Sequence, residues 1–301
     1  MNWGSFVDMS KRAMVLLEGA ESLDLLQRIS TNDVATLALG GAIQTVLTNE
    51  KGRIVELVTV LRRGQNEVLV VGHSEDPLII KDWIEKYIIM EDIKVKVISA
   101  NFIHLMAYDT TTNIKTAKLR LVSPDCTILE ETLSEVVLTH VLVPKALGDA
   151  TINVLSEGGL AKRNRQHFEE YRILNGIPAF PTELSTLYNP LEAGLLHFVS
   201  FTKGCYIGQE VVARLDTYKK VQRQLVRMKM EDLPPELPEK VYFEGKEWGT
   251  ITSALRLSGS RECRGLGYIK VGSEVSGARL YFLKGSEEIN LTVDLLGSHN
   301  A

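Results

Sequence analysis

Lys203-Gly204-Cys205-Tyr206-Ile207-Gly208-Gln209-Glu210-Val211-Val212-Ala213-Arg214 is the most unusual stretch of the chain. Gly204 and Gly208 allow tight backbone turns, and Gln209 to Leu215 can start a helix. Cys205 is then expected just before a helix N-terminus, where aligned peptide dipoles and the Lys203 ammonium both favour a thiolate. That setting suits a nucleophile or a metal ligand. The other two cysteines, Cys126 and Cys263, lack it, and the three together form neither a CxxC pair nor a disulfide framework. The six histidines are scattered without metal-ligand spacing, so no resident metal is expected.

Working outward, Arg12 to Glu18 reads as a strand, Gly19 breaks it, and Ala20 to Ile29 places Leu23, Leu26 and Ile29 at helical spacing. Ala42 to Thr48 and Arg53 to Arg62 are β-rich runs joined by Asn49-Glu50-Lys51-Gly52, a hairpin in which Gly52 can take a positive φ. A strand at Glu67 to Val71 follows. Asp76-Pro77 predicts a helix N-cap with proline at the first position, and Ile80, Trp83, Ile84, Tyr87 and Ile88 form its apolar face. Lys94 to Ile98 and Phe102 to Tyr108 return to strand character. Helices and hairpins interleave without a βαβ rhythm, which makes the class α+β.

Lys162 to Asn175 predicts a helix with Phe168, Tyr171 and Leu174 on one face and Gly176 as its stop. The proline-rich, acidic Glu231 to Pro238 reads as a stiff connector, which puts a domain boundary near residue 230, with domains 1–230 and 231–301. Beyond it, Val241 to Phe243, Gly249 to Ser253, Gly267 to Val271, Arg279 to Leu283 and Asn290 to Leu295 suggest a small β-barrel, with Gly265-Leu266-Gly267 turning between strands.

The chain has 301 residues, 45% hydrophobic and 24% charged, the mixture of an ordinary globular protein. Its 34 Lys plus Arg against 38 Asp plus Glu give a net charge of -4, which argues against a dedicated nucleic-acid binder. Between Lys162 and Lys229, however, eleven basic residues face six acidic ones, a local excess that attracts anions such as carboxylates or RNA phosphates. Apolar runs are too short to span a bilayer, and Met1 to Ser10 lacks a basic region followed by an apolar one, so a cytoplasmic protein without membrane partners is expected.

The stretch from Lys203 to Arg214 resembles the K-G-C-[FY]-x-G-Q-E-x-x-x-[RK] signature of the YgfZ-type folate-binding proteins, relatives of the glycine cleavage T-protein that assist iron-sulfur cluster assembly and tRNA modification. Asn189-Pro190-Leu191-Glu192, Leu26 to Val34 and Asn49 to Arg53 are similar to other parts of that family. The likeness covers nearly the whole chain and is weakest between residues 100 and 160. It implies an α+β fold in which three subdomains of antiparallel sheets and helices form a ring around a folate channel, as in the glycine cleavage T-protein, with a small C-terminal β-barrel.

It further implies that Cys205 and Lys203 carry the chemistry. Tetrahydrofolate or a derivative would be contacted by Lys203, Tyr206, Gln209, Glu210, Arg214 and Arg172, with Asn32 and Asn49 lining the channel. A transient iron-sulfur cluster and its client or assembly proteins are the other partners implied. The family lacks the aspartate that activates aminomethyl transfer in the T-protein, and Leu174 stands where many relatives carry a pterin-binding glutamate. An accessory role rather than conventional catalysis is therefore expected, with a tetrahydrofolate-dependent aminomethyltransferase as the alternative.

Overall fold

The computed structural model describes residues 4–110, 126–218, 221–271 and 279–296. They form two compact units. One comprises Met1–Leu47, Glu56–Phe168 and Thr202–Tyr206, the other Thr48–Val55, Glu169–Phe201 and Ile207–Ala301. Among the described residues no helix is long and apolar enough to cross a membrane.

The first unit is built on two five-stranded sheets. Strands β1 (Ser5–Asp8), β7 (Phe102–Tyr108), β8 (Thr127–Leu133), β9 (Val136–Pro144) and β10 (Ala161–Arg163) make one sheet in the order β10-β1-β7-β9-β8. The other runs β3-β4-β5-β2-β6, from β2 (Met14–Glu18), β3 (Ala42–Thr48), β4 (Ile54–Arg62), β5 (Glu67–Gly72) and β6 (Lys94–Val97). The first sheet mixes the two senses, β1 pairing antiparallel with β7 and parallel with β10. The two sheets meet through Met14, Leu61, Leu69 and Val71 from one and Leu129 and Leu142 from the other. Removing such side chains from water stabilises by about 25 cal/mol per Å² of apolar area.

Helix α1 (Ser22–Ile29) buries Leu25, Leu26 and Ile29. Helix α2 (Pro77–Glu85) starts as its sequence dictates: the Asp76 carboxylate accepts from the Leu78 N–H, and Pro77 occupies the first turn. It ends at Glu85, so of the expected apolar face Ile80 and Ile84 are buried while Tyr87 and Ile88 lie beyond the helix. Strands β8 and β9 and helix α3 (Gly148–Glu157) fall where no element was expected, and α3 backs the β1-β7-β9 core of Phe6, Leu105, Val141 and Leu155.

The second unit centres on a closed barrel ordered β11-β14-β13-β12-β15-β16. Its strands are β11 (Arg223–Met230), β12 (Glu239–Phe243), β13 (Lys246–Arg256), β14 (Cys263–Lys270), β15 (Leu280–Lys284) and β16 (Glu287–Leu295). The barrel begins at Arg223, ahead of the boundary expected near 230. β11 pairs with both β14 and β16 and so closes the cylinder, and a cut after 230 would open it. Gly265 and Gly267 do not turn between strands but sit inside β14. A Cβ there would meet the Ser253 carbonyl oxygen at 2.6 Å and the Thr250 carbonyl oxygen at 2.1 Å, beside an irregularity in the β13 register.

Helix α4 (Arg165–Asn175) starts later than expected because Lys162 and Arg163 are spent in β10. Its Leu174 is 41% exposed rather than packed. Helix α5 (Gln209–Thr217) follows the thiol loop.

Candidate functional site

In the first unit Lys203 is buried, and its ammonium donates to three backbone carbonyls at the end of α1: Gln27 at 2.8 Å, Ser30 at 2.8 Å and Asn32 at 2.6 Å. A cation there satisfies orphan carbonyls and complements the helix dipole. Burial pulls its pKa down to about 8, against the opposing charge of Asp33. The ammonium also lies 5.4 Å from the centre of the Tyr206 ring, a cation–π contact. Tyr206 is buried, which pushes its phenol up to about 12. Between these anchors Gly204 and Cys205 are exposed.

Asn32 belongs to the same frame. Its backbone N–H donates to Thr45 Oγ1 at 2.8 Å and its side-chain amide donates to the Gln44 carbonyl at 2.9 Å. Lys203 and Asn32 thus fix the loop that displays the thiol.

The remaining candidates lie in the second unit. Gly208, the N-cap of α5, has φ 82°, and a Cβ on it would stand 2.4 Å from the Asn49 carbonyl oxygen and 2.9 Å from Gly52 Cα. Gly204 differs from the expectation: it has no positive φ, and its Cβ would enter open space. The Asn49 side chain accepts from the Lys51 and Arg53 N–H groups, both at 3.0 Å, so it organises the turn. Helix α5 presents Glu210 and Arg214 to solvent, with Gln209 half-buried.

Arg172 is 3% exposed, and its guanidinium serves packing. It pairs with Glu169 and with Glu183 at 3.1 Å, and donates to Ser253 Oγ at 2.9 Å. Burial opposes its charge, but the Glu183 and Glu169 carboxylates outweigh that and raise its pKa. Other basic residues of the window are consumed in this way: Arg223 pairs with Glu192, which also holds Arg53 from outside the window, and Arg227 donates to the Leu174 carbonyl. Lys219 and Lys220 lie outside the described residues.

Sequence reasoning missed a buried polar chain in the first unit. Glu131 is hydrogen-bonded to His73 Nε2 at 2.8 Å, His140 Nε2 lies 3.3 Å from its other oxygen, and His140 Nδ1 meets His104 Nε2 at 2.8 Å. Glu56 is fully buried and accepts the N–H groups of Leu57, His73 and Ser74; desolvation lifts its carboxyl to about 7. A glutamate inside the apolar run Ile54 to Leu61 is the signal that could have found it.

Residues 2–107 match the family described as the GCVT N-terminal domain. A chloroplastic protein of Arabidopsis thaliana with a provisional transferase name is 26% identical over 300 residues, covering 90% of this chain and 69% of its own. The aminomethyltransferase of Halothermothrix orenii is 27% identical over 90% of this chain and 81% of its own. That of Moorella thermoacetica is 28% identical over 84% and 74%. The solved aminomethyltransferase T of the Bartonella henselae glycine cleavage system superposes with a TM-score of 0.80, covering 96% of this chain and 84% of that one at 16% identity. The fold is therefore that of the glycine cleavage T-protein, and the sequence likeness is to aminomethyltransferases.

Proposed function

We propose that the chain is a YgfZ-type folate-binding accessory protein whose Cys205 thiol supports assembly or repair of iron-sulfur clusters in client enzymes, tRNA-modifying ones included. One observation carries this reading: Cys205 is exposed while Cys126 is half-buried and Cys263 is buried, and its flanking residues Lys203 and Tyr206 are anchored inside the first unit. A thiol displayed on a fixed loop can meet a partner's metal. The cluster is cargo here, because one thiolate holds it only when the client or a second chain supplies the other ligands.

The fold shared with aminomethyltransferase T and the likeness to aminomethyltransferases support folate as the ligand. Of the residues expected to hold it, Gln209, Glu210 and Arg214 fit best. They place an amide, a carboxylate and a guanidinium on one short helix, with Glu210 and Arg214 in solvent, groups that match the donors and acceptors of a pterin edge and a glutamate tail. Lys203, Arg172, Asn32 and Asn49 instead support the surrounding backbone.

Tetrahydrofolate-dependent aminomethyl transfer is the second reading, favoured by the names of the relatives. It needs a base that a substrate can reach. Glu56 titrates near neutrality, but it is fully buried and its oxygens hold backbone N–H groups, so it is better suited to structure.

Calorimetric titration of tetrahydrofolate into the wild-type protein and Arg214→Ala tests the folate half. Saturable binding weakened about tenfold in the variant is expected. No heat from the wild type would remove folate from the account.

A further inference from the structure

The second unit contains a cleft of about 680 Å³ beside the barrel, within the range of roughly 300–1,000 Å³ typical of small-molecule sites. Trp248 lines it, its ring seated edge-on against Phe243 at 5.3 Å. The Lys270 ammonium lies 5.4 Å from the centre of that indole.

Arg53 and Arg223 line the same cleft and share the buried Glu192 carboxylate, at 3.1 Å and 3.4 Å. One carboxylate offsets one of the two guanidinium charges. Glu247, also at the cleft, is paired with Lys240 at 2.7 Å, so Lys270 adds a further positive charge. The Gln222 amide and the Thr250 hydroxyl line the cleft as well, and among the described residues neither side chain makes a hydrogen bond. An indole wall, surplus positive charge and two uncommitted polar groups are the complement of a flat anion.

We propose that this cleft binds a small planar molecule carrying a carboxylate or a phosphate, its ring against Trp248 and its anionic group toward Arg53, Arg223 and Lys270. The inference stands on the second unit alone and does not depend on the folate reading.

Tryptophan fluorescence and calorimetry with 4-aminobenzoylglutamate, adenosine monophosphate and inorganic phosphate test it on the full chain. The expected result is saturable binding of at least one aromatic anion below about 1 mM, with the quench lost in Trp248→Phe. Lys270→Gln and Thr250→Val, whose side chains are partly or fully exposed, should each weaken it several-fold while melting like the wild type. Whether the carboxylate or the nucleotide binds identifies the source of the anionic group. The proposal is overturned if neither aromatic anion saturates, if inorganic phosphate binds as tightly, or if the quench survives in Trp248→Phe.

Discussion

Gly208 and Gly52 meet backbone to backbone. A Cβ on Gly208 would lie 2.9 Å from Gly52 Cα, and one on Gly52 would lie 3.2 Å from the side chains of Val211 and Val212. The hairpin turn and the start of α5 are therefore held by a contact that only glycine permits, and Thr48 Oγ1 reinforces it by donating to the Ile207 carbonyl at 2.6 Å. Gly208→Ala combines a strained positive φ with this clash and should cost about 2–4 kcal/mol. Gly204→Ala, facing open space, should stay within about 0.5 kcal/mol of the wild type. Urea midpoints of the two variants check the contrast, and equal midpoints would refute it.

Lys203→Met should leave the carbonyls of Gln27, Ser30 and Asn32 without their shared donor. A loss of about 2–4 kcal/mol is expected, together with faster proteolysis around residue 203. An unchanged melting temperature would mean that water replaces the ammonium at no cost.

Arg172→Met removes one partner of a buried pair and leaves the buried Glu183 side chain without its guanidinium. The expected cost is about 3–5 kcal/mol, and the double variant Arg172→Met/Glu183→Gln should be less damaged than the single one. A double variant as unstable as the sum of the two singles would show that the pair is not coupled.

Alkylation with a limiting maleimide at neutral pH should modify Cys205 before the half-buried Cys126 and the buried Cys263, whose thiol burial pushes up. Peptide mapping reads the order. Modification of Cys263 first would contradict the exposure described.

The buried histidines set a pH dependence. Desolvation lowers His73 and His104, with the His140 and Arg12 charges adding to the effect at His104. The unfolded chain therefore binds more protons as pH falls through about 6.5, and the stability these rings contribute above that value is lost below it. Desolvation opposes the Glu131 charge, but His73 and His140 overcome it and hold its carboxyl well below the usual range, so its contribution is also lost toward acid. Glu56, raised to about 7, has the opposite sign: its contribution is complete at low pH and fades as pH rises through about 7. The melting temperature should fall between about pH 6.5 and 5. Glu56→Gln should steepen the fall and His104→Asn should flatten it; parallel curves for all three proteins would rule the network out as the cause.

The elements legible in the sequence are those whose signals are local. Asp76 and Pro77 mark the start of α2 because capping and fixed φ act within one turn, and Gly52 marks its hairpin because the turn itself needs a positive φ. Strand β11 was missed because Arg223, Arg227 and Lys229 read as solvated charge, whereas its Val226, Met228 and Met230 enter the barrel core. Gly265 and Gly267 looked like turn residues, since nothing local reveals that another strand's carbonyl will approach them. The site divides in the same way. Cys205 stands out in the sequence by its neighbours and is exposed in the structure, but Lys203 reads as a ligand-binding charge because its actual partners, the carbonyls of Gln27, Ser30 and Asn32, lie far away in sequence.

The most direct test of the central claim is the activity of an iron-sulfur-dependent tRNA-modifying enzyme in cells that lack the endogenous protein and carry either the wild-type chain or Cys205→Ala. The exposed thiol contributes little packing, so the variant should fold and melt like the wild type. The account predicts restored client activity with the wild type and none with Cys205→Ala. Full restoration by Cys205→Ala would contradict it and reduce the cysteine to a surface residue.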